Sequence, residues 1–177
     1  TNMPAIEPIG LAVSTARAAA ERRVPLALPR VHLSAPSPVL LEWYDGDDYR
    51  LRADLQAESA VQAAELGIEV VRDWISIDDI VEIVRGGDFV YLLIDLTLMI
   101  NDPTPHWVLA HDVIDGCLII DDPWVEKEHG ETWVDTHHLP MPFAAVDEMT
   151  RWGQPEPYRG VVVVPRVRAE AGATTRA

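Results

Sequence analysis

The chain has 177 residues, 48% of them hydrophobic, a formal net charge of −15 and a mean hydropathy of +0.01. That is enough chain for one domain with its own core, in the composition of an ordinary globular protein. The acidic surplus argues against nucleic acid and anionic lipid as partners, and no apolar run reaches the roughly 18 residues of a membrane span, so neither nucleic acid nor membrane binding is expected.

Thr1-Asn2-Met3-Pro4 reads as neither a signal nor a transit segment, and the single cysteine, Cys117, allows no internal disulfide. A cytoplasmic protein is the expectation. The first helix opens at Glu7-Pro8, where proline is tolerated at the first helical position. Ile9, Ala12, Val13, Ala16, Ala19 and Ala20 keep helical spacing to about Arg23. Pro25 to Leu33 reads as an edge or irregular strand because Pro29 interrupts it. Val39 to Tyr44 has the apolar content of a strand. Arg50 to Leu66 reads as a helix closed by Gly67, and Ile68 to Val71 as a short strand. Ser76-Ile77-Asp78-Asp79 has the form of a capping box opening a helix that ends at Gly86-Gly87.

Phe89 to Met99 is an almost continuous apolar run, as expected of a strand covered on both faces. A turn-rich loop, residues 101–105, leads to a strand from His106 to Val113. Asp115-Gly116 is a hairpin turn, and Cys117 to Asp121 the returning strand. Thr132 to Asp135 suggests a further strand, Pro142 to Trp152 a short helix, and Gly160 to Val164 a last buried strand. Residues 1–165 are read as one domain and 166–177 as a disordered tail. Helices precede an antiparallel sheet, which predicts an α+β fold.

The chemistry concentrates on this hairpin. If it turns at Asp115-Gly116, positions summing to about 231 face each other, and His106 comes close to Asp122. A carboxylate there can hold an imidazole in one tautomer and stabilise its charged form, as a base and its orienting partner require. A strand-capping histidine and an aspartate binding turn backbone before Pro123 would leave the same pattern. Asp121 is the alternative carboxylate, on the opposite face of a regular strand. His106 and His111, five apart, should also face opposite sides. His129, His137 and His138 lie near Asp121, Asp122 and Asp135, but neither H-E-x-x-H nor paired-cysteine spacing occurs, so no metal and no cofactor are expected. Trp107 and Trp124 flank the pair and could wall a substrate pocket. Cys117 reads as a small buried hydrophobe.

Pro105-His106-Trp107-Val108 with Leu118-Ile119-Ile120-Asp121-Asp122-Pro123 resembles the papain-like C39 peptidase superfamily, whose "HWV" strand bears the catalytic histidine and whose "xDP" strand end bears the aspartate. Ile6 to Ala12, Phe89 to Ile94, Phe143 to Gly153 and Val161 to Val164 are similar to further segments of stand-alone C39-like proteins. The resemblance runs from about Ile6 to Val164. It implies a papain-like α+β fold, His106 as general base and acid, and Asp122 as its orienting carboxylate. It also implies a peptide or amide substrate, cut or transferred by a cysteine in a "CGP" context. No residue here matches that cysteine; its helix is expected before Thr1, on a separate chain or a missing segment. A non-catalytic peptide binder is the alternative. A nucleophilic Thr1 activated by its own amine is a further one.

Overall fold

Glu7 sets the first helix, α1 (Pro8–Glu21), by accepting the amides of Ile9 at 2.7 Å and Gly10 at 2.5 Å. These are two of the N–H groups that a helix start leaves unpaired. The computed structural model describes residues 6–153 and 155–167, apart from the side chain of His129. Thr1 and residues 168–177 of the expected tail lie outside the described residues. Arg166, the first residue of that tail, bridges to Leu26 and lays its guanidinium 4.6 Å from the Phe89 ring centre.

Two sequence expectations fail in the stretch after α1. The strand β1 (Arg30–Leu33) is not an edge: it lies between β2 (Glu69–Val71) and β7 (Gly160–Val164). Pro29 stops short of the ladder, so it removes no hydrogen bond from it. Val39 to Tyr44 is not a strand. Val39, Leu40 and Leu41 are buried, and side chains meet the backbone groups of Val39 and the amide of Leu40. Gln56 donates to the Val39 carbonyl at 2.7 Å and accepts its amide at 2.9 Å, and the Leu40 amide donates to the Tyr158 hydroxyl at 3.2 Å. Leu40 takes a left-handed φ of 60°. Burial without a ladder is possible where such groups find other partners.

The next elements follow the sequence closely. Helix α2 (Gly46–Leu66) starts four residues earlier than expected, with Asp47 and Asp48 in its first turn where the helix dipole favours them. It closes on Gly67 at φ 75°. Helix α3 (Ile77–Arg85) opens on the capping box of Ser76 and Asp79. Strand β3 (Phe89–Asp95) is shorter than its apolar run, which continues as the one-turn helix α4 (Thr97–Ile100) with exposed Leu98, Met99 and Ile100. Strands β4 (Pro105–Ile114) and β5 (Cys117–Asp121) form the hairpin, with Asp115 and Gly116 at φ 47° and 80°. Residues 132–135 are not a strand. Trp133–Thr136 is a 3-10 turn because Asp135 caps Thr132 by both backbone and side chain. Strand β6 (Leu139–Pro142) and helix α5 (Phe143–Met149) follow. The helix ends before Trp152, whose backbone pairs with Tyr158 instead.

Among the described residues, seven strands run in the order β2-β1-β7-β3-β4-β5-β6, antiparallel except for β1 with β2. One face carries Val90, Leu92, Ile94, Val108, Ala110, Leu118 and Ile120 against α3 and α5. The other carries Val31, Leu33, Leu93, Val162 and Trp107 against α1. Gly160 lets α1 approach: a Cβ there would lie 2.8 Å from Pro8 Cγ. Arg159, wholly buried, donates to the Ile75 carbonyl at 2.7 Å and to Asp147 Oδ1 at 2.7 Å, tying α5 to the entry of α3. No described helix is long and apolar enough to cross a membrane.

Candidate active site

The hairpin places the candidate residues. Near its turn the pairs are Ile114–Cys117, Val113–Leu118 and Asp112–Ile119, as the turn position predicts. A bulge then takes up one residue of β4, and pairing resumes at Ala110–Ile120 and Leu109–Asp121. The extra residue is His111. Bulges at strand pairs re-aim side chains in this way. Beyond β5 the chain leaves the ladder, with the Asp122 amide donating to the Thr136 carbonyl at 2.8 Å.

His106 stands opposite Ile94 and on the same face as Val108 and Ala110. Its Nε2 lies 2.7 Å from Asp122 Oδ1, with both side chains largely shielded from water. The same oxygen accepts the Trp124 amide at 2.7 Å. The carboxylate is therefore aimed by the backbone on one side and holds the imidazole on the other. An Nε2–H donating to a carboxylate leaves Nδ1 as the acceptor of a neutral ring. Among the described residues Nδ1 has no hydrogen-bond partner. The ring thus keeps its proton-accepting nitrogen turned away from the carboxylate, an arrangement that general base and then general acid work would require.

The structure separates the two tryptophans. Trp124 follows the dyad directly and is 62% exposed. Trp107 lies on the opposite face, packed beside α1, where its indole N–H donates to the Ile6 carbonyl at 2.8 Å. Cys117 sits at the turn end of β5, opposite Ile114 and Pro142. Five residues along a strand put it about 16 Å from Asp122, too far to reach the dyad.

Of the histidines and carboxylates grouped in the sequence, the structure brings together a different set. Asp135 caps its own turn, Asp122 serves His106, and Asp121 meets His111 and His138 on the face away from His106. His106 and His111 do face opposite sides. A separate open groove of about 560 Å³ is lined by His32, Trp74, Asp73, Asp79 and Glu82 among others, and no residue of β4 or β5 contributes to it.

With this geometry in view, the family comparison is decisive. A family described as peptidase C39 like matches residues 3–165. The chain belongs to that family. No curated protein and no solved structure matches it. The α+β fold, with five helices and a mostly antiparallel seven-stranded sheet among the described residues, is accordingly that of a C39-like protein. Sequence reading missed Gln56 and Arg159, the side chains that hold the fold around the sheet. Neither has a spacing signal, because each bonds to backbone far away in the chain.

Proposed function

We propose that His106 and Asp122 are the base and orienting carboxylate of a C39-type amide hydrolase or acyl-transfer site whose thiol is supplied by a segment outside this sequence. The observation that carries the reading is the 2.7 Å contact between His106 Nε2 and Asp122 Oδ1, with the Trp124 amide fixing the same oxygen. Nδ1 would take the thiol proton. The thiolate would then attack the carbonyl carbon of a peptide or amide, and the imidazolium would return its proton to the departing amine. Water resolving the acyl-thioester gives hydrolysis, and an amine gives transfer. Exposed Trp124, next to the pair, would contact the substrate, and exposed Leu98, Met99 and Ile100 of α4 lie just before the loop that leads to His106.

A second reading is a peptide-binding protein that does not cut. It is favoured by one observation: the thiol of the described chain, Cys117, lies at the far end of β5. Intact-mass analysis and N-terminal sequencing of native material, together with turnover of peptide amides, separate the two. A cysteine-bearing segment associated with this chain, and turnover abolished in His106→Ala, would support the enzyme. Turnover unchanged in His106→Ala would overturn it. Peptide binding without turnover in the complete native material would support the binder.

A further inference from the structure

We propose that His111, Asp121 and His138 form a binding site for one divalent transition-metal ion of the zinc type, separate from the His106–Asp122 dyad. One donor atom from each residue lies within 4.8 Å of the other two. His111 Nε2 is 3.3 Å from Asp121 Oδ1. Two ligand atoms at about 2.0–2.1 Å from a tetrahedral zinc stand ~3.3 Å apart, so this pair is already spaced as co-ligands.

A second observation points to a ligand. His111 Nε2 is sealed from water, and its polar contact among the described residues is the 3.3 Å approach to the Asp121 carboxylate, longer than a good N–H···O hydrogen bond. A sealed ring nitrogen held only by so long a contact calls for an explanation. A cation shared with the carboxylate supplies one. The rings of His111 and His138 stand edge to face, with centres 5.0 Å apart. The Asp121 oxygen is meanwhile steadied by the His138 amide at 2.9 Å. His138 holds a left-handed φ of 55°, which turns the chain back so that its amide reaches Asp121. Two imidazoles and one carboxylate suit zinc and its neighbours better than magnesium or calcium, which prefer all-oxygen sites. Three protein ligands leave a fourth position for water or an outside group.

The three residues come from β4, the end of β5 and the start of the β6 segment. An ion here would clamp residues 122–138 to the hairpin. That segment carries Trp124 and the Thr136 carbonyl that receives the Asp122 amide. Metal binding of this kind adds directly to folding stability.

The test uses the untagged full chain, stripped with chelator and titrated with zinc chloride by calorimetry and by thermal melting. One ion per chain should bind and raise the melting temperature. His138→Ala, at an exposed position, should weaken binding on the order of 100-fold or more, since even loss of a residue that only supports a ligand costs about 10–100-fold. Asp121→Asn should weaken it as well, and His106→Ala should bind zinc as wild type does. Far-UV circular dichroism checks that each variant is folded. Absence of zinc binding, unchanged affinity in folded His138→Ala, or loss of binding in His106→Ala would each overturn the site.

Discussion

His106 and Asp122 meet at 2.7 Å across the open end of the β4–β5 hairpin, while one residue earlier Asp121 turns to the opposite face. Adjacent carboxylates thus serve different histidines. The direct consequence is that the two aspartates are not interchangeable. In a turnover assay with peptide amides on the complete native protein, Asp122→Asn should lower the rate on the order of 100-fold or more, by releasing the imidazole from its tautomer. Asp121→Asn should leave the chemical step largely intact. Equal losses in the two variants would contradict this division.

Asp147 and Arg159 lead to a prediction about acid stability. Burial pushes the Asp147 carboxyl up, but hydrogen bonds and charge from Arg151 and Arg159 outweigh it and hold the group below the usual carboxylate range. A carboxyl depressed in the folded state stabilises the fold above its unfolded pKa of about 3.9, and that stability is lost as pH falls through the folded value. Urea midpoints should therefore be flat from neutral pH to about 5 with respect to this group and fall below about 4. Asp147→Asn should flatten the acid limb. It should also cost about 3–5 kcal/mol at neutral pH, because it strands the Arg159 charge in the interior.

Gln56 replaces a strand partner for Val39. Gln56→Ala would leave the Val39 amide and carbonyl unpaired inside the protein, at about 1–3 kcal/mol for each group. Equilibrium unfolding in urea should show a loss of at least ~2 kcal/mol. A change near zero would mean that water reaches Val39.

Gly160 marks the closest approach of α1 to the sheet. Gly160→Ala would drive a Cβ to 2.8 Å from the Pro8 ring, and Leu93 crowds the same position. Overpacking of this kind costs about 1–3 kcal/mol. The melting temperature should fall, and Pro8→Ala in the same chain should recover part of the loss. No recovery would place the strain on Leu93.

Much of the hairpin could be read from residues alone because its turn is chemically explicit. Asp115-Gly116 takes the positive φ values of such turns, and from it the pairing of residues 112–114 with 117–119 follows. The capping box at Ser76 and the glycine after α2 were legible for the same reason: each is a local rule acting on neighbouring residues. What escaped was decided at long range. The segment from Val39 to Tyr44 looked like a strand because it is apolar, but its backbone partners, Gln56 and Tyr158, lie 17 and 118 residues away. The position of β1 inside the sheet depends on β7, which closes against it from the far end of the chain. At the site, His106 and Asp122 were found through hairpin arithmetic and family likeness. The His111–Asp121–His138 group was not, since the bulge and the turn at His138 follow no simple spacing.

The bulge has one more consequence. His111 is surplus to the pairing, for Ala110 and Asp112 already face consecutive residues of β5. A protein lacking that single residue could close the ladder without moving His106, Asp122 or the turn. The imidazole on the far face is thus a detachable addition to the hairpin, and its loss or gain by a one-codon change need not disturb the dyad beside it.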